Sequence, residues 1–363
     1  MRPVPIAAAA LLLCGSAAPA LQSAPAQRQP CPEPQAGRYA FAGGAIGLRS
    51  ALQVNPDGAA ASYTPGDHGQ TYVFNGMNRI GPDGRKIACH TAANKWDCRN
   101  RFLLAEARGF APGTDRFCVY AFEVDAYAPG VPRERCEGSS YRYVVGDGVG
   151  KPRAGRRVRD VSGAMTGTYL STTALRNLVD GRAAYIDSSA IPASVVPGAQ
   201  SGLLGSVVWV RYRGRSAFAI AGDTGPAFGE GSVALHQLLR EGAIRAVQPV
   251  GPIPLALRCT TVETGLPAPF VSRPDLGTED RCRPGYEPLG PADIRAYSGI
   301  GYDPALPSGP GNLGVEMIVL PDARLPRQGN VVQVALTPER IEQAARAAGY
   351  DDVRLARMAA CIR

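Results

Sequence analysis

Glycine and proline interrupt this chain so often that no long helix can dominate it. The 363 residues include 43 glycines and 32 prolines, and few stretches between them keep a helical period. Such punctuation predicts short strands joined by many turns. Two turn signals are explicit, Asn55-Pro56-Asp57-Gly58 and Gly81-Pro82-Asp83-Gly84. Residues 71–80, 117–127 and 141–145 read as strands. Further along, residues 205–212 and 217–221 read as a hairpin turned at Arg213-Gly214-Arg215. Their apolar runs suit a barrel or a buried sheet. The expected fold is mainly β with a few helices, on a double-psi-like β-barrel core.

The first residues carry a different message. Met1-Arg2-Pro3-Val4-Pro5 leads into an apolar stretch at 6–14, which ends in Gly15-Ser16-Ala17-Ala18-Pro19-Ala20. One positive charge, a short apolar core and an Ala-x-Ala ending describe a secretory signal peptide cleaved near Ala20. The run is shorter than the roughly 20 residues a membrane span needs, and no later segment reads as a span. Leu13 before Cys14 argues against lipidation, because a lipobox wants a small residue there. Without Cys14, the cysteines are Cys31, Cys89, Cys98, Cys118, Cys136, Cys259, Cys282 and Cys361. An even set outside the cytosol predicts disulfides, and the low-entropy pairing is Cys89–Cys98, Cys118–Cys136 and Cys259–Cys282. No Cys-x-x-Cys pair occurs and His68, His90 and His236 are scattered, so neither a zinc site nor another cofactor is expected.

Behind the leader, residues 21–37 are rich in Pro, Gln and Ala and read as a disordered lead-in pinned at Cys31. Residues 38–254 form the main domain. After a boundary near 255, the Cys-containing stretch to 363 reads as a C-terminal extension. It ends in a helix capped by Thr337, with Pro338 at its first position and Ile341, Ala344, Ala345 and Ala348 on one face. The formal charge is +8, and Lys151, Arg153, Arg156, Arg157 and Arg159 cluster in one stretch. With no interleaved aromatics or helical spacing, that cluster reads as a solvated loop and not as a nucleic-acid interface.

The segment Gly222-Asp223-Thr224-Gly225-Pro226-Ala227-Phe228-Gly229-Glu230-Gly231-Ser232 holds the most chemistry. It sets two carboxylates in a Gly/Pro-rich loop between a strand at 216–221 and a helix at 233–240. Ser232 stands at the N-cap of that helix. An Asp and a Glu aimed into one space are what glycosidic-bond hydrolysis needs, one as acid and the other as base or nucleophile.

Around this loop the sequence resembles the glycoside hydrolase family 75 chitosanases, secreted enzymes of fungi and bacteria. The loop is similar to that family's Gly-Asp-x-Gly-Pro…Gly-Glu-x-Ser signature. The stretch from Tyr185-Ile186-Asp187 through Ile191-Pro192 to Val195-Val196-Pro197 resembles its Tyr-x-Asp…Ile-Pro…Val-x-Pro segment. Gly167-Thr168-Tyr169-Leu170-Ser171-Thr172-Thr173-Ala174-Leu175 resembles Gly-x-Tyr-Val-Ser-x-Thr-x-Leu. Leu52-Gln53-Val54-Asn55-Pro56-Asp57-Gly58-Ala59 is similar to an Ile-Asp-x-Asp-Gly-Ala element, with Asn55 where that element is acidic. The four elements fall in the family's order within residues 52–239.

The resemblance implies endo-hydrolysis of β-1,4-linked glucosamine polymers with inversion, without a cofactor. Asp223 and Glu230 match the two essential carboxylates. Their roles stay open: Phe228 beside Glu230 favours a neutral acid there, whereas the following helix N-terminus favours a carboxylate. Asp187 is a further candidate for substrate binding, against a plain role in capping backbone N–H groups. Tyr169 and Trp209 are candidates to stack on sugar rings, against ordinary core packing. Asp57 is read as serving its turn. A basic protein repels a polycation at long range, so the alternative is a non-catalytic exported protein that keeps the fold and binds a polysaccharide or protein partner.

Overall fold

The computed structural model describes residues 30–60, 62–63, 65, 77–91, 93–159, 165–245 and 314–362. The expected signal peptide, Cys259 and Cys282 lie outside them, as does most of the expected strand at 71–80.

The centre is one eight-stranded sheet. Its strands are β1 (Arg38–Ala40), β2 (Ile46–Ser50), β3 (Gln53–Asn55), β4 (Ala193–Pro197), β5 (Ser206–Tyr212), β6 (Arg215–Gly225), β7 (Glu230–Ser232) and β8 (Val315–Arg324). In space they run β1-β2-β8-β5-β6-β4-β7-β3. The β4–β6 and β7–β3 pairs are parallel and the others antiparallel. β5 and β6 form the expected hairpin. Its two-residue turn puts Arg213 at φ 47° and Gly214 at φ 82°, the left-handed pair that matches strand twist.

The barrel expectation is not met: among the described residues the sheet is open, ending at β1 on one side and β3 on the other. The reason lies in the same apolar runs. Alternate residues of β5, β6 and β8 enter two separate cores, so the central strands are buried on both faces. Val207, Trp209, Ile220, Ile318 and Leu320 pack on one side with Ile341 and Ala345 of helix α3 (Pro338–Ala347) and Leu355 of α4 (Asp352–Ala359). Val208, Val210, Ala217, Ala219, Ala221, Met317 and Val319 pack on the other with Leu235 and Leu239 of α2 (Val233–Glu241). A sheet covered by helices on both faces has no need to close.

The boundary near residue 255 does not separate the last strand from this sheet, because β8 lies in its middle, between β2 and β5. Both cap predictions match the observed geometry. Thr337 Oγ1 accepts from Arg340 N at 3.2 Å, and Ser232 Oγ accepts from Leu235 N at 3.1 Å. The Ser232 hydroxyl does more than cap. It also accepts from Ala193 N at 2.9 Å and donates to Ile191 O at 2.8 Å, tying α2 to the start of β4. Replacing it by Ala leaves buried backbone groups without partners. Ser232→Ala should therefore lower stability by about 2 kcal/mol in urea unfolding.

A second region packs a helix, α1 (Lys95–Ala107), with a four-stranded sheet ordered Lys86–Ala88, Asn78–Ile80, Arg116–Val119, Tyr143–Val145. Phe102, Phe110, Phe117, Phe122, Tyr63 and Tyr169 fill its core. Disulfides Cys89–Cys98 and Cys118–Cys136 join near neighbours in sequence, as expected, and Cys31 and Cys361 are disulfide-bonded as well. The basic stretch is not a loop. Gly150–Pro152 and Ala154–Arg159 are strands, and Arg153 pairs with Glu123 at 2.8 Å and Asp125 at 2.7 Å.

Candidate active site

Asp223 and Glu230 stand on strands, not on a loop. β6 continues past its apolar run to Gly225, so Asp223 is a strand residue, and Glu230 opens β7. Both strands flank β4, which pairs Val195 with Asp223 on one side and Ser194 with Gly231 on the other. Two strand spacings, about 9–10 Å, separate their backbones. The side chains draw closer than that. A Cβ built on Gly225 of β6 would lie 3.6 Å from Glu230 Oε1, so the Glu230 carboxyl reaches across β4 towards β6.

A bulge sets the aim of Asp223. The β4–β6 register steps from Ser194↔Ala221 to Val195↔Asp223, which leaves Gly222 as the extra residue. An inserted residue re-aims the side chain that follows it. A Cβ at Gly222 would stand 3.1 Å from both Ala193 Cβ and Ile186 Cδ1, so only glycine sits there without displacing a neighbour. The re-aimed carboxyl lands on two backbone donors: Asp223 Oδ1 accepts from Ala174 N at 2.9 Å and Thr224 N at 2.8 Å.

Glu230 has a different partner. Asn55 Nδ2 donates to Glu230 Oε2 at 3.1 Å, while Asn55 Oδ1 accepts from Asp57 N at 2.9 Å. The second bond fixes which way the amide points, so Asn55 presents a donor to Glu230. β3 and β7 hold the two residues in place, with Gln53 opposite Glu230 and Asn55 opposite Ser232.

Asp57 joins them. The turn after β3 carries it into the same space, where Tyr63 OH donates to its Oδ1. The turn is firmly pinned: Pro56 O accepts from Ser62 and Ser188 hydroxyls, and Gly58 N donates to Ser171 Oγ at 2.8 Å. Reading Asp57 as a turn residue captured its backbone and missed its carboxyl. The available sign was its place in the Asn55-Pro56-Asp57-Gly58 element.

The three carboxyls are closely surrounded by protein yet only half-buried. Burial pushes Asp223 up to about 7, opposed by its two backbone donors and aided by the Glu230 charge. Asp57 is held well above the usual carboxylate range, first by burial and then by the Asp223 charge. Glu230 is raised by burial but pulled back by the Asn55 amide. Tyr120 faces the group too; burial raises its phenol, as do the charges of Asp57 and Glu230, while Arg142 lies 5.2 Å from its ring centre. Two neighbours with separated affinities for a proton are what an acid and a base require. Changing Asn55→Asp should replace a donor by a like charge. Glu230 should then ionise about one unit or more higher, and the acidic limb of any pH–rate profile should move up with it.

The other sequence candidates lie elsewhere in the fold. Asp187 Oδ1 accepts from Ser189 N at 3.0 Å and Ser189 Oγ at 2.6 Å, a local turn. Tyr169 is buried in the second core, its OH donating to Glu106 at 2.5 Å. Trp209 is packed in the core on the α3 face. His236 is buried beneath β3, its Nε2 3.1 Å from Gln53 O, and burial pushes its imidazole down to about 4. Among the described residues, no group of three or more His, Cys, Asp or Glu is arranged to hold a metal ion, and no helix is long and apolar enough to cross a membrane. No protein-family model matches the chain, and no curated protein matches it.

Proposed function

We propose that this chain is an exported glycoside hydrolase that cleaves β-1,4-linked glucosamine polymers with inversion, using Asp223 as acid and Glu230 as base. The observation that carries this reading is the contrast between the two carboxyls across β4. Burial raises both, Asp223 up to about 7, but at Glu230 the Asn55 amide opposes the rise. Strand spacing of about 9–10 Å, shortened by converging side chains, suits the roughly 6.5–9.5 Å that an inverting pair needs to admit water. In the reaction, the Asp223 O–H breaks as the departing sugar oxygen gains the proton. Glu230 takes a proton from the water that attacks the opposite face of the anomeric carbon.

The partial burial of Phe228, which packs under Arg38, supports an ionised Glu230 over the neutral acid that Phe228 would favour. Export is supported by the disulfides, which persist in oxidising compartments. The test is release of reducing ends from chitosan, with the anomer of the first product read by NMR. The α product is expected; β product or no release defeats the assignment. The +8 charge makes anionic glycans worthwhile members of the panel. Binding to one of them with no cleavage of any would favour the carbohydrate-binding alternative.

A further inference from the structure

The donor that Asp223 takes from outside its own strand is Ala174 N, and the residues around Ala174 act as a clamp. Ala174 N donates to Asp223 Oδ1 at 2.9 Å, and the next amide, Leu175 N, donates to Gly222 O at 2.9 Å. Both contacts fall on the bulge that aims the carboxyl. Residues 172–175 belong to no strand or helix, so side chains do much of the holding. Thr173 Oγ1 accepts from Ile186 N at 3.0 Å and donates to Leu175 O at 2.6 Å. From the other side, Asn330 Nδ2 donates to Ala174 O at 3.0 Å, and Arg176 N donates to Asn330 O at 2.8 Å.

Asn330 stands in a two-residue turn. Arg327–Gln328 and Val331–Val332 form its hairpin, with Gly329 at φ 58° in the first turn position. The hairpin follows β8 and pairs in parallel with the strand Arg176–Val179. Its amide therefore comes from far outside the stretch 52–239 that carries the family resemblance. One peptide unit passes the hold on. Ala174 C=O accepts from Asn330 while Leu175 N–H donates to Gly222 O, a chain in which each hydrogen bond polarises the next.

We propose that Asn330 is a positioning residue of the candidate site, holding the Ala174–Leu175 peptide against the Gly222 bulge so that Ala174 N–H stays on the Asp223 carboxyl. Its part in catalysis rests on Asp223 being the acid of the site. Without the Asn330 amide, Ala174 is free to drift, and a carboxylate that loses a donor forms less readily.

The test is an Asp223 titration followed by 13C NMR on full-length protein labelled at aspartate, with no substrate present, in wild type and Asn330→Ala. The midpoint, near 7 in the wild type, should rise by about half a unit or more in the variant. Gln333→Ala is the control, because Gln333 Nε2 donates to Val331 O at 2.9 Å in the same hairpin and has no bond to Ala174. An unmoved Asp223 midpoint in Asn330→Ala, or an equal rise in Gln333→Ala, overturns the proposal. Asn330 is exposed. Should alanine still unsettle the turn, Asn330→Ser keeps a turn residue whose hydroxyl is too short to reach Ala174 O, and the same rise is required of it. The titration reads Asp223 whether or not a glycan is cleaved. A rise with no hydrolysis by the wild type would sink the hydrolase reading only, and hydrolysis with an unmoved midpoint would sink the Asn330 role only.

Discussion

Asp223→Asn and Glu230→Gln should each reduce chitosan hydrolysis about 10²- to 10⁴-fold, the range expected when a general acid or base is removed. The two losses should not multiply. Once the acid is gone, the base has little transition state left to assist, so the double variant should fall little below the worse single one. The wild-type profile should be bell-shaped, with its alkaline limb near 7 as Asp223 ionises. The same Asp223→Asn protein should gain stability while losing activity. Its folded carboxyl ionises near 7 against an ordinary 3.8, so the unfolded chain loses this proton first. The native state is then penalised as pH rises between those values, and the penalty is constant above them. An amide still accepts from Ala174 N and Thr224 N but cannot ionise. Urea unfolding at about pH 8 should therefore show a gain of roughly 1–2 kcal/mol, shrinking to nothing near pH 4. Full activity in either single variant would remove that residue from the mechanism.

Gly58→Ala should be among the most damaging single methyls at the described glycines. Gly58 has φ +86°, a left-handed conformation that an alanine adopts only with strain, and the new Cβ would fall 1.8 Å from the Ile186 carbonyl oxygen. That atom belongs to backbone and cannot swing away as a side chain would. A loss of about 3 kcal/mol or more is expected, a fall in Tm of roughly 5–10 °C. The consequence reaches the site, because the turn that must shift carries Asp57 and braces Asn55 against Glu230. Even where the variant stays folded, hydrolysis should drop about a hundredfold, the cost of an ångström of misplacement. Gly181→Ala is the useful control: it also has positive φ, 73°, but its Cβ would meet nothing within 4 Å, so only the smaller backbone cost should appear.

What could be read from the sequence was governed by distance along the chain. The β5–β6 hairpin, the Ser232 and Thr337 caps and the two short-range disulfides each depend on residues within about twenty positions, and all announce themselves locally. The opposite holds for β8. Its apolar run Met317-Ile318-Val319-Leu320 marks a buried strand, but nothing in it says that its neighbours are β2 and β5. The barrel expectation failed for a related reason, since an apolar run buried on both faces looks the same whether helices or a closed wall provide the cover.

At the site, the Asp223/Glu230 pairing was visible as a motif, while the bulge at Gly222 was not, because a glycine in a Gly/Pro-rich stretch reads as part of a turn. Asp57 does lie in the expected turn, and its carboxyl's surroundings were hidden for a similar reason. Asn-Pro-Asp-Gly satisfies every local rule of a turn, whereas Asp223 and Glu230, whose charges act on its carboxyl, lie far along the chain. Tyr169 and Trp209 show the converse: large aromatics that look exposed to ligand on paper are claimed by core packing first.

The central place of β8 has a consequence for how this protein comes to exist. Among the described residues, strands β1 and β2 meet the rest of the sheet only through a strand that begins at Val315. A chain emerging in sequence order must keep β1 and β2 unpaired with the sheet until residues 315–324 have been made. Contacts of such long range make folding slow. The export proposed above would profit from that delay, since the sheet is completed only once β8 has been made.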